Sequence, residues 1–179
     1  MLERMSALAS ARPYVSAVLS IAERPGFTLA QMAGLDGDFE SKLSAVVGAL
    51  PDKVSLAQVN GERTLFRIGP AQFWIVGPGT DDVAARLEGQ CAVTPLTSSR
   101  VRIALDGAPA REVLAMLAPV DFAPSVFTPG SVALTGVHHT PVTIHCTGEN
   151  GFDVYVMRTF ARDVWDAITD AGLRFADTR

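Results

Sequence analysis

At 179 residues the chain is long enough to bury a substantial core, as one domain or as two small ones. A hydrophobic content of 48% excludes a disordered chain. A formal net charge of -4 argues against duplex-DNA binding, which rests on a basic surface that releases counterions.

Residues 1–12 read as a loose arm. The apolar patches of residues 1–24 are interrupted at Arg12-Pro13 and lack a cleavage motif, so no signal peptide is expected. No apolar run in the chain approaches the ~20 residues of a membrane span. Cys91 and Cys146 lie far apart and imply no disulfide framework, so a reducing, cytoplasmic setting is expected.

Residues 14–22, rich in small and β-branched side chains, predict a strand, and Arg24-Pro25-Gly26 a turn. A second short strand is expected over 27–32. Asp36-Gly37-Asp38 resets the chain, and residues 39–50 follow as a helix with Leu43, Val46, Val47 and Leu50 on one side. Residues 63–68 and 72–76 alternate as two strands joined at Gly69-Pro70. After Gly77-Pro78-Gly79, Thr80 caps a short helix whose inner face is Val83, Ala84 and Leu87. Asp81 and Asp82 in its first turn suit the helix dipole. Residues 91–96 make one more strand.

The middle of the chain carries the clearest local signal. Val101, Ile103 and Leu105 alternate with Arg100, Arg102 and Ala104, as in a half-buried strand. Asp106 or Gly107 is expected to cap the next helix, Pro109 to fit its first turn, and Val113, Leu114 and Leu117 to share its buried face. The segment 119–130 is Pro-rich but too apolar for a free linker; Phe122, Val126 and Phe127 are expected to pin it. Strands over 131–137, 141–146 and 152–156 follow. Thr159 then caps a last helix lined by Phe160, Val164 and Ile168, with Trp165 beside them, ended by Gly172. Both halves read as strand, helix, strand, strand, helix. The expected class is α+β: two packed ferredoxin-like half-domains over residues 1–97 and 98–179.

Chemistry is sparse. Gly77-x-Gly79 sits between a strand and a helix, but the third glycine of a dinucleotide fingerprint is missing, and Asp81 and Asp82 would repel a pyrophosphate. His138, His139, His145 and Cys146 are atom types that bind zinc, yet His145 and Cys146 point to opposite faces of a strand, and no paired ligand spacing exists. Arg100, Arg102 and Arg111 can hold a carboxylate or the acidic surface of a partner; the alternative is a solvated sheet face paired with Asp106 or Glu112. Trp74 and Trp165 can anchor a partner or fill the core. No catalytic, cofactor-binding or metal residue is assigned. Arg100, Arg102, Arg111 and Trp165 stand as the candidate partner interface.

The central stretch resembles the gamma-subunit family of heterotetrameric sarcosine oxidase. The matching features are the arginine-led strand Arg100 to Leu105, the corner Gly107-Ala108-Pro109-Ala110, then Pro119-Val120-Asp121, and Phe127 three before Gly130. Arg158-Thr159-Phe160-Ala161 with Trp165, and Gly69-Pro70-Ala71-Gln72-Phe73-Trp74, extend the likeness, which runs from about Arg63 to Gly172. Thr97-Ser98-Ser99 replaces the family's Ser-His, and Ala71-Gln72 its acidic pair.

The resemblance implies a fold similar to the folate-binding domain of the aminomethyltransferase T-protein. It implies a non-catalytic subunit, serving assembly, of a complex that demethylates sarcosine to glycine with hydrogen peroxide and formaldehyde or methylene-tetrahydrofolate. It implies alpha, beta and delta partner subunits carrying the flavins FAD and FMN, NAD, tetrahydrofolate and zinc, with none of these in this chain. No nucleic acid or membrane partner is expected, and self-association is open to the isolated chain. The other reading is a stand-alone folate-binding or one-carbon-transfer module, for which Asp121 is the acidic candidate.

Overall fold

The structure, a computed structural model, describes residues 5–175. In chain order the elements are β1 (Tyr14–Val15), β2 (Ser20–Glu23), β3 (Leu29–Gly34), α1 (Phe39–Val47), β4 (Leu56–Asn60), β5 (Arg63–Gly69), β6 (Gln72–Val76), α2 (Thr80–Arg86) and β7 (Cys91–Pro95). Then come β8 (Arg100–Asp106), α3 (Ala110–Leu117), β9 (Val132–Val137), β10 (Thr140–Gly148), β11 (Gly151–Met157) and α4 (Ala161–Gly172), with 3₁₀ turns flanking α4.

The described residues divide into two units, residues 26–98 and residues 5–25 with 99–175. The division after residue 98 falls one residue from the expected boundary. The beginning of the chain, however, joins the second unit instead of the first. The reason is strand pairing: β2 lies antiparallel to β8, with Ile21 opposite Leu105. Residues 5–12 are not loose either, since Leu8 is buried in the second unit's core; residues 1–4 of the expected arm lie outside the described residues.

Each unit is an antiparallel sheet with two helices, so the fold is α+β as read from the sequence. The sheet orders are β4-β5-β6-β3-β7 and β1-β2-β8-β11-β10-β9. The two share a plan. Three strands after the first helix form a meander, and the last of them pairs with the strand before that helix: β4-β5-β6-β3 in one, β9-β10-β11-β8 in the other. Each half thus has one strand more than the coarse strand–helix–strand–strand–helix pattern: β4, which was not expected, in one, and in the other the third of the strands expected over 131–156. The neighbouring position is filled differently, by β7 beside β3 and by β2 beside β8.

The cores follow side-chain periodicity. Val101, Ile103 and Leu105 of β8 meet Phe152, Val154 and Val156 of β11, covered by Val113 and Leu114 of α3 and Val164, Trp165 and Ile168 of α4. In the other unit Phe73 and Ile75 of β6 and Leu65 of β5 pack under Phe39, Leu43 and Val47 of α1 and Val83 of α2. The single strand expected over 14–22 is a hairpin, because the Ser16 hydroxyl accepts the Leu19 amide at 3.1 Å and turns the chain. Side-chain caps are absent at α3 and α4: Pro109 itself takes the cap position of α3, and Thr159 lies inside the 3₁₀ turn before α4.

Candidate functional site

The β8–α3 corner depends on Gly107. Its φ is +137°, a region L side chains rarely adopt, and a Cβ there would press into the Val18 carbonyl oxygen. The Gly107 amide donates to the Asn150 carbonyl at 3.0 Å, and its carbonyl accepts the Ala110 amide at 3.0 Å. The corner thus ties the start of α3 to the β10–β11 turn.

Arg111, in the first turn of α3, is buried. Its Nε donates to the Glu149 carbonyl at 3.0 Å and Nη2 to the same oxygen at 2.7 Å. Nη1 donates to the Phe122 carbonyl at 2.7 Å and the Phe127 carbonyl at 2.9 Å, while Nη2 also reaches the Cys146 sulfur at 3.8 Å. The guanidinium lies over the Phe152 ring, 5.1 Å from its centroid. Neither Asp106 nor Glu112 is its partner. The expectation of Arg111 as an interface group is corrected: its side chain holds the segment 119–130 against the core. Phe122 and Phe127 pin that segment as expected, meeting each other edge-on at 5.2 Å. Val126, the third expected pin, is exposed.

Between α3 and this segment lies a cavity of about 470 Å³ that includes Ala115, Val120, Pro124, Glu112 and Asp121 in its lining. Asp121, the acidic candidate for a folate ring, accepts the Ala123 amide at 2.9 Å and so braces the turn.

Arg100 and Arg102 share the sheet face opposite the helices. Register places Arg102 beside Tyr155, Tyr155 beside Thr143, and Asp153 beside both Ala104 and His145. Asp153 is buried and lies 2.8 Å from Arg24 and 3.8 Å from Arg102. Burial raises its pKa against the pull of both arginines. Burial and the Arg102 charge drive His145 down to about 4, and burial with the Asp153 charge pushes Tyr155 up to about 12. Arg102 also donates to the Arg24 carbonyl at 3.1 Å, so it belongs to a polar network and is not a solvated charge. Arg100 donates to Ser99 at 3.1 Å, and burial lowers its pKa. Asp153 is not among the residues expected to matter, although an acid within the apolar run Phe152 to Val156 is its signal in the sequence.

Trp165 is 4% exposed in the core, which corrects its place in the candidate interface. Trp74 is buried too, its indole N–H donating to Gln31 at 3.1 Å. The zinc candidates separate. His138 sits in the β9–β10 turn at φ +52°, Cys146 faces the helix-covered core, and His145 faces the opposite side. Among the described residues no three His, Cys, Asp or Glu side chains come together as metal ligands. Gly77 and Gly79 both have positive φ, and Arg63 donates to the Pro78 carbonyl between them at 2.7 Å. They shape a turn into α2. No helix among the described residues is long and apolar enough to cross a membrane.

Comparison with known proteins adds to this picture. The chain is 27% identical over 147 residues to the sarcosine oxidase gamma subunit of Corynebacterium sp. (strain P-1), covering 78% of this chain and 72% of that one. It is 33% identical over 95 residues to an aminomethyltransferase of Geobacillus kaustophilus (strain HTA426), covering 51% of this chain but only 26% of that enzyme's length. Its fold matches a chain of heterotetrameric sarcosine oxidase from Corynebacterium sp. U-96 with a TM-score of 0.87 at 21% identity, covering 98% of each. The family resemblance and the aminomethyltransferase-like fold read from the sequence are thereby borne out. Residues 57–177 match the model of the GCVT N-terminal domain. The chain belongs to the GCVT N-terminal domain family.

Proposed function

We propose that this chain is the gamma-type subunit of a heterotetrameric, flavin-dependent sarcosine oxidase, acting in assembly. Its partners are then alpha, beta and delta subunits, which carry FAD, FMN, NAD, tetrahydrofolate and zinc, and its location is the cytoplasm. The observation that carries the reading is the end-to-end fold match to a chain of that complex, joined to sequence identity with a gamma subunit over most of both chains. The placement of the chain's polar groups supports it. Arg111 and Asp121, which line the cavity together with Glu112, each make backbone hydrogen bonds, and buried Asp153 is paired with the partly exposed Arg24. Oxidation of an N-methyl amine is cofactor chemistry; a subunit of this kind supplies surface and shape to the assembly.

The test is sarcosine-dependent peroxide release. The isolated chain is expected to give none, and omission of the chain from co-expressed subunits is expected to lower the yield of active enzyme. Peroxide release by the isolated chain overturns the proposal, as does full yield without it.

A further inference from the structure

We infer that the groove between α3 and the segment 119–130 seats an apolar segment of a partner subunit that carries a lysine or arginine; the inference rests on the subunit reading above. The groove is built in advance. Arg111 anchors both Phe122 and Phe127, so its far wall is fixed before anything binds. Its lining by Ala115, Val120 and Pro124 suits apolar side chains, and its volume of about 470 Å³ has room for more than one. Two more apolar side chains on the elements that wall the groove are exposed. Met116, one turn along α3 from Glu112, is 44% exposed, and Val126, on the opposite wall's segment, is 59% exposed.

Charge selects the occupant. Glu112 and Asp121 line the groove, and among the described residues neither forms an ion pair. The one cation beside them, Arg111, has its N–H groups turned to Glu149, Phe122, Phe127 and Cys146. An anionic occupant would meet two carboxylates and no available cation, whereas an ammonium or guanidinium would meet two acceptors beside an apolar floor. A second copy of this chain, with a net charge of -4, is a poorer complement than a basic segment of another subunit.

The test measures the affinity of the chain for the co-purified flavin-bearing subunits at low salt. Two variants address the groove: Glu112→Lys with Asp121→Asn, which keeps an acceptor for the Ala123 amide, and Ala115→Trp, which fills the floor. Each is expected to weaken binding about tenfold or more, while Glu62→Lys, an acid in the β4–β5 turn of the other unit, leaves it unchanged. Glu112→Gln, a single exposed change, replaces the double variant if that one melts early, with an expected loss of about threefold. Wild-type affinity in the groove variants overturns the inference and leaves the subunit reading standing. Equal weakening by Glu62→Lys marks a general charge effect and also overturns it. Failure of the wild-type chain to bind the subunits at all overturns the subunit reading itself.

Discussion

Arg111 shows how one side chain sets the local architecture. Its charge is held by carbonyl dipoles, a sulfur and an aromatic face, with no carboxylate partner among its contacts. Arg111→Met keeps the bulk of the aliphatic stem but leaves the Phe122, Phe127 and Glu149 carbonyls without their charged donor. The expected cost is about 3–5 kcal/mol, read by urea unfolding, with earlier proteolysis within 119–130. An unchanged unfolding midpoint would show that the segment is held by its phenylalanines alone. His145 gives a pH dependence. Its pKa in the fold, about 4, lies below its ordinary 6.5, so the neutral imidazole is the form the fold accommodates. Its contribution is complete above pH 6.5, declines as pH falls, and levels off below about 4. The full loss is about 3 kcal/mol. Asp153, whose pKa is raised, works in the opposite sense. The difference between wild type and His145→Gln across pH 7 to 4 is therefore the quantity to measure, and a parallel pair of stability curves would refute the assignment.

At the scale of elements, the β8–α3 corner joins a strand buried on its helix side to a helix that clamps a loop. Gly107→Val is expected to prevent folding or cost several kcal/mol, because positive φ and the closeness of Val18 both oppose a side chain. Gly107→Ala should be milder but still destabilising, and a thermal melt of either variant matching wild type would contradict the geometry. The corner was legible in the sequence because alternation, glycine, proline and helical spacing agree there within a few residues. β4 was not: Leu56 to Asn60 forms an edge strand with only partial burial, so its apolar pattern is weak. It is tied down by tertiary contacts that no local pattern reveals, among them the Asn60 amide donating to the Val47 and Ala49 carbonyls at 2.9 and 2.7 Å. Likewise the arginine row of β8 was visible, but a strand pattern cannot say that Asp153 waits on β11 opposite Ala104. That pairing depends on a register set some 50 residues away. Arg111 and Trp165 looked like surface anchors because residue type alone does not report burial.

For the whole molecule, the two units repeat a single strand plan, yet each takes its neighbouring strand from a different part of the chain. Taking β2 into the second unit ties residues 5–25 to the C-terminal half, so the halves are not separable by cutting near residue 98. A truncation beginning at residue 99 would bare the β8 edge and is not the unit to test. In the proposed role the intact chain is a component of a larger oxidase. The most direct test is the mass and composition of the particle recovered when the tagged full-length chain is isolated from cells co-expressing the flavin-bearing subunits. One stoichiometric particle containing all of these chains is predicted, with sarcosine turnover confined to that particle. Recovery of the chain alone, with active enzyme eluting separately, would contradict it.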